Sequence, residues 1–427
     1  MTDLLKPDGY VTRIAGTRLD RALNTAPMVL IEGPKGCGKT WLGLSRSRSK
    51  MMLAEDANAL SAARTITREV LLNGDRPKLV DEWQRAPEVW DAARGISDRD
   101  AATGKFIFTG SYSRSDAVTR HSGAGRLMRI RLRPMSLHEL GHATGQVSVA
   151  GLLAGEPAAA IAPQIDARHL AELICRGGWP RHVGLAAEAG QDLLVAYLEE
   201  TARVDFPAET GTSHNPMKVR RLLRSLARHV STTASQASLA RDTAGDGARL
   251  NHQTVSRYLD ALERLFVLDD LPAWSPHMTS NRPARQSPKR HLADPSLAAA
   301  ALGAVPDRLA RDMRSLGLLF ESLVVRDLRV YCEAGDIAVF HHQAQRGGEL
   351  DAVLEARDGR WVAVAVKLGG NEQMLDQTAA KLLAATRSID ISRRLPPAAH
   401  LIVTAFGTAA YQRPDGITVA PVTALGP

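Results

Sequence analysis

Residues 28–40 constrain the backbone more tightly than any other stretch of this chain. They read MVLIEGPKGCGKT, an apolar run that enters a glycine-rich turn and leaves it as Gly-Lys-Thr. The spacing Gly, four residues, Gly, Lys, Thr takes in Gly33, Pro34, Lys35, Gly36, Cys37, Gly38, Lys39 and Thr40. Gly33 and Gly38 let the chain curl so that several N–H groups point at one phosphate. Lys39 sets a cation between the β- and γ-phosphates, and the Thr40 hydroxyl can ligate Mg2+. The helix expected after the turn presents its positive end to the same anion. A strand before and a helix after are the context this reading requires. The sequence therefore predicts a phosphate-binding loop that takes ATP with Mg2+.

A second half of such a site follows. Residues 77–84 read PKLVDEWQ. Leu79 and Val80 predict a short buried strand that ends in adjacent carboxylates. Asp81 is expected to hold Mg2+ in the manner of a Walker-B Asp, and Glu82 to polarise the attacking water as general base. Short apolar runs alternate with helical patterns over residues 1–145, as in an α/β sheet. Strands are expected at 28–32, 50–54, 77–81, 105–109 and 127–132. The fourth ends in Thr109–Ser111. If it neighbours the Asp81 strand, Thr109 lies beside the γ-phosphate as a sensor; the other reading is a hydroxyl that satisfies a strand end. Of the arginines that follow, Arg126 comes after SGAG and is the candidate arginine finger, a group that neutralises transition-state charge.

Composition narrows the class. At 427 residues the chain has room for two or three domains. Charged residues make up 23% and hydrophobic ones 44%, ordinary for a globular protein. No apolar run approaches the ~20 residues needed to span a bilayer, and MTDLLKPDGY shows no secretory pattern. Cys37, Cys175 and Cys332 are far apart, without metal-ligand spacing, which suits a reducing cytoplasm. The net charge of +8 leans toward a polyanionic partner such as duplex DNA. Aromatic residues at 4% argue against extensive base-stacking surfaces. A homo-oligomer is compatible with all of this.

Residues 146–165 are rich in Ala, Gly and Pro and read as a linker within a 146–215 helical segment. RGGWPR at 176–181 must stop a helix, with Trp179 as a packing anchor. Residues 216–315 read as a winged-helix-like segment, within which 216–273 suits a helix-turn-helix. One short helix at 235–244 precedes a longer one whose apolar stripe is Val255, Tyr258, Leu259, Leu262, Leu265 and Phe266. Gln253, Ser256, Arg257 and Asp260 face outward near its start, where a recognition helix meets base edges. The basic run 281–290, with Arg285, Lys289 and Arg290, would contact phosphates or form a solvated loop. Residues 316–427 read as a second α/β unit: a helix with Glu321, then strands carrying Asp351 and Lys367. The carboxylate expected two residues before Lys367 is replaced by Ala365. Glu349 shares the face of Asp351, about 7 Å along the strand, and could bend toward the same metal, or belong to the preceding turn.

Together the phosphate loop, DEWQ, the TGS strand end, Gly125-Arg126, RPMSLHE at 133–139, GGWP at 177–180 and the tail resemble the uncharacterised prokaryotic AAA-type ATPases with a C-terminal domain of unknown function. The resemblance covers nearly the whole chain. It implies an α/β architecture: a P-loop AAA-type ATPase domain, a helical, winged-helix middle segment and a restriction-endonuclease-like C-terminal domain with a PD-(D/E)xK core. It further implies Glu321, Asp351 and Lys367 as a degenerate nuclease site. The residues as a whole are read as a cytoplasmic ATPase that binds and slowly hydrolyses ATP on or near DNA. The alternatives are a nucleotide-gated nuclease and a non-catalytic ATP-switched DNA-binding regulator.

Overall fold

The computed structural model describes residues 4–65, 68–100, 102–110, 123–212, 214–243, 251–275, 287–343, 348–389 and 395–427. They divide into two compact units. One is Met1–Pro134 with Arg264–Val267, the other Met135–Glu263 with Leu268–Pro427.

In the first unit the expected strands form as β1 (Met28–Glu32), β2 (Ser49–Met52), β3 (Lys78–Asp81), β4 (Phe106–Gly110) and β5 (Leu127–Arg131). They make one parallel sheet in the order β2-β3-β4-β1-β5. Parallel strands covered on both faces read as continuous apolar runs, and β1 shows why. Met28 and Leu30 pack on one face with Trp83, Trp90, Phe106 and Phe108. Val29 and Ile31 pack on the other with Leu19, Leu42, Leu79 and Ile107. Trp83 and Trp90 stack at 4.6 Å between centroids, and such pairs contribute about 0.5–1.5 kcal/mol beyond their buried area. The insertion of β4 between β1 and β3 brings the carboxyl ends of all three to one edge. Glu32 lies opposite Gly110 and Asp81 opposite Thr109. In open α/β sheets that edge is where ligands bind.

The second unit takes in what the sequence reading separates at 215 and 315. Its seven-stranded sheet runs β7-β12-β13-β11-β10-β9-β8, where β7 is Ala160–Ile161, β8 Ala338–Gln343, β9 Glu349–Glu355, β10 Trp361–Lys367, β11 Ala399–Thr404, β12 Ala409–Gln412 and β13 Thr418–Pro421. The stretch expected as a linker is thus partly structured. Besides β7 it supplies β6 (Val147–Ser148), which pairs with β14 (Leu425–Gly426), and a helix Val149–Ala154 that buries Val149, Leu152 and Leu153. Two-residue strands carry no periodic signal, so sequence pattern passes over them.

A buried ion-pair hub explains two of the motifs. Arg326 lies 2.7 Å from Asp294 and 2.6 Å from Asp327. Asp294 accepts from Gly178 N at 3.1 Å and caps the helix Pro295–Leu302 through Ser296 N. Asp327 accepts from Leu137 N at 3.1 Å. At Gly178 an added Cβ would lie 2.1 Å from the Met135 carbonyl, and at Gly177, with φ +70°, 2.3 Å from Ser296 Oγ. Only glycine fits this approach. Trp179 donates to Ser296 Oγ at 3.1 Å. GGWP and the Met135–Leu137 stretch are therefore two sides of one packed junction.

Candidate nucleotide site

The loop leaves β1 at Gly33, where φ is +156° and an added Cβ would lie 2.2 Å from the Leu132 carbonyl oxygen. Gly38, at φ +98°, ends the turn, and the six-residue helix Lys39–Leu44 begins. Lys39 is buried, and its Nζ donates to the carbonyls of Gly33 (3.0 Å) and Pro34 (2.8 Å). The loop is further held by Arg13, only 4% exposed. Arg13 Nη1 donates to Cys37 O at 2.8 Å, and Nη2 to Arg133 O at 2.7 Å. Nothing in the sequence marks Arg13, which lies well upstream of the motif and outside any pattern.

The register between β3 and β4 joins the remaining groups. Asp81 Oδ1 accepts from Thr40 Oγ1 at 2.8 Å and from Thr109 Oγ1 at 2.5 Å. Glu82 adopts left-handed backbone angles, φ +52° and ψ +46°, which cost about 1–2 kcal/mol for a residue with a Cβ. Such outliers cluster at functional sites. Gln84 Nε2 donates to the Glu82 carboxylate. Its Oε1 is buried without a hydrogen-bond partner among the described residues. That oxygen lies beside Gly110, where an added Cβ would come within 2.9 Å of it. Gln84 was legible only as the last letter of DEWQ.

One expectation on this unit changes. Arg126 is not brought to the loop. It precedes Leu127, which pairs with Met28 at the start of β1, whereas the loop leaves the far end, about 13 Å along the strand. Arg126 instead pairs with Asp98 of the helix Glu88–Arg99. Cys37 is 0% exposed and packs among Ile31, Leu42 and Leu132, so its thiol is part of the core. Maleimide is expected to leave Cys37 unlabelled in the folded protein, with ATP or without. Rapid native labelling that ATP blocks would contradict this. Ser111, Arg114 and Arg120 lie outside the described residues.

In the middle segment the helix His252–Arg264 buries Val255, Tyr258, Leu259 and Leu262 and exposes Gln253, Arg257 and Asp260, with Ser256 half-buried. The cations assigned to DNA phosphates do not hold. Lys289 is 1% and Arg290 6% exposed. Arg290 is tied to Asp270 and to the Ala234 carbonyl. Arg285 lies outside the described residues.

Lys289 instead sits in the C-terminal carboxylate cluster. Its Nζ is 2.8 Å from Glu321 Oε1, 2.8 Å from Glu349 Oε1 and 3.3 Å from Asp351 Oδ1. Asp351 Oδ2 accepts from Val366 N at 2.8 Å and lies 3.7 Å from Lys367 Nζ. Glu349 belongs to the start of β9, paired with Gln343, so it joins the cluster and is not a turn residue. Ala365 is packed in the core of the sheet. Burial and the facing Asp351 push the Glu321 carboxyl up to about 8 despite Lys289. Burial alone would lower the Lys289 ammonium, but Glu321, Asp351 and Glu349 hold it above its ordinary value.

With this geometry in place, the relatives of the chain follow. Residues 25–141 match the AAA domain family, and residues 167–308 and 316–425 match two domains of unknown function, DUF8612 and DUF4143. The chain is 28% identical over 351 residues to the uncharacterized proteins Mb2031c of Mycobacterium bovis and Rv2008c of Mycobacterium tuberculosis, covering 80% of this chain and 71% of theirs. Among solved structures, the Walker-type ATPase PABY2304 of Pyrococcus abyssi aligns at 15% identity with a TM-score of 0.45, covering 70% of this chain and 97% of that one. AMPPCP-bound DnaA from Aquifex aeolicus aligns at 15% identity with a TM-score of 0.29, covering 61% of this chain and 93% of that one. Within the first unit, residues 25–141 are similar to an AAA domain. Among the described residues no helix is long and apolar enough to cross a membrane.

Proposed function

We propose that the first unit binds ATP with Mg2+ and hydrolyses it. The observation that carries this reading is the convergence of Thr40 and Thr109 on one oxygen of Asp81. Three hard oxygen donors at the end of a phosphate loop suit Mg2+. Thr40 and Asp81 would hold the ion, which neutralises charge on the phosphates. Lys39 exchanges its contacts with the Gly33 and Pro34 carbonyls for β/γ-phosphate oxygens. Thr109 reports the state of Asp81 to β4. Glu82 takes the proton of the attacking water, and Gln84 orients Glu82 through its amide N–H while its partnerless oxygen is free to accept from that water. Arg13 keeps the loop in its curled form. Arg126, bound to Asp98 at the other edge, has no part in the hydrolysis of the ATP on its own loop.

A DNA partner belongs to the same proposal. The helices Gln236–Asp242 and His252–Arg264, followed by antiparallel bridges Leu268–Leu292 and Leu271–Lys289, fit a winged helix. Gln253, Arg257 and Asp260 are then the residues offered to a groove. One assay addresses both parts: ATP turnover with and without duplex DNA, beside salt-dependent DNA binding. Wild type should turn over ATP, and Glu82→Gln should bind ATP normally but hydrolyse it ~10²–10⁴-fold more slowly, the usual worth of a general base. Equal rates for the two proteins at saturating ATP would sink the hydrolytic reading. No duplex affinity at low salt, with or without ATP, would remove the DNA partner.

A further inference from the structure

The PD-(D/E)xK resemblance implies a divalent metal between the carboxylates of the C-terminal sheet. The residues present do not fit one. We propose that the Lys289 ammonium is itself the resident cation of the Glu321–Glu349–Asp351 cluster, and that no divalent metal binds there.

Three observations carry this. The first is position. Nζ lies within 3.3 Å of an oxygen from each of the three carboxylates, at the point where their charges meet. A divalent ion takes carboxylate oxygens at roughly 2.0–2.6 Å, so it would have to occupy the volume of the ammonium. The second is tethering. Lys289 and Leu271 exchange both backbone hydrogen bonds, at 2.9 and 3.0 Å, and Lys289 is 1% exposed. The backbone that carries the ammonium is thus held in place, and its side chain is enclosed against the cluster. The third is charge. Asp351 also faces Lys367 at 3.7 Å, so two ammoniums already oppose the cluster. Against three carboxylates, these two ammoniums leave at most one net negative charge to attract a dication. The same cation marks its neighbour: burial, and then the charge of Lys289, push His341 down to about 4.

In sequence Lys289 is remote from Asp351 and Lys367, and this explains why the motif looks half-kept. In this chain the carboxylates face an ammonium at the place where the motif puts a metal. An ammonium cannot lower the pKa of a water or bridge a phosphate as a metal does. This conclusion concerns the second unit and does not depend on the nucleotide reading.

The test titrates Mn2+ into the full chain without nucleotide, following free Mn2+ by electron paramagnetic resonance. Wild type and Asp351→Asn should be indistinguishable. Lys289→Ala should gain an Mn2+ site at least ~10-fold tighter than any in the wild type, and the double variant with Asp351→Asn should lose it. A wild-type Mn2+ site that disappears in Asp351→Asn overturns the proposal. So does a folded Lys289→Ala protein that gains no site. If Lys289→Ala does not fold, the wild type against Asp351→Asn decides alone: equal titrations uphold the proposal and a lost site refutes it.

Discussion

Lys39→Ala is expected to weaken ATP binding at least ~100-fold. A charge-assisted hydrogen bond is worth about 1.5–3 kcal/mol, and Lys39 offers its cation at the point where the phosphates carry most charge. In the resting protein the same ammonium bridges the carbonyls of Gly33 and Pro34. Its removal therefore also loosens the loop that must present N–H groups to the phosphate. Both effects act in one direction. Isothermal titration with a non-hydrolysable analogue measures the loss, and circular dichroism checks that the variant is folded. Undiminished affinity in a folded Lys39→Ala protein would place the nucleotide elsewhere. Lys39→Arg is a useful companion. It keeps the charge, but the larger guanidinium does not fit the space between two loop carbonyls, so it should recover little.

The largest effect on stability is expected at Arg326. Its side chain is buried between Asp294 and Asp327, themselves fully buried. Arg326→Leu leaves two carboxylates facing each other without a cation. Breaking a buried pair by removing one partner costs about 3–5 kcal/mol, and here there are two partners. Those carboxylates also hold the N–H groups of Gly178 and Leu137, so both motif loops lose their anchor. Urea unfolding followed by circular dichroism should show a transition lost or moved to much lower urea. For contrast, Asp98→Ala removes a half-exposed partner of Arg126 and should cost at most about 1 kcal/mol. An Arg326→Leu protein with the wild-type midpoint would mean the hub contributes nothing net.

Much of the first unit was legible because its chemistry is local. The loop needs glycines at fixed spacing, the strand before it must be apolar on both faces, and the acidic pair must end a short buried run. Periodicity likewise placed the buried stripe of the helix His252–Arg264. What escaped was non-local. Arg13 reaches the loop from outside the motif. Lys289 reads as one more base in a basic run, and only the fold turns it inward onto Glu321, Glu349 and Asp351. Arg126 was placed by motif, yet the strand that follows it starts at the opposite end of the sheet. Double glycine in GGWP reads as a helix stop, and its tighter requirement, the approach of Met135 and Ser296, belongs to residues far along the chain.

The pairing of Val147–Ser148 with Leu425–Gly426, and of Ala160–Ile161 with β12, has a consequence during synthesis. A ribosome makes the earlier partners first and must then make nearly the rest of the unit before the later ones appear. Until then, the short strands at 147–161 have no neighbours and the far side of the sheet lacks its border. Closing so long a loop is slow. The first unit draws its strands from residues 28–131 and can assemble while the remainder is still being translated. The nascent second unit therefore waits with apolar surface uncovered, and surface exposed in this way is prone to aggregate. Removing Leu425–Gly426 would leave Val147–Ser148 without its partner strand, while Ala160–Ile161 would still find β12.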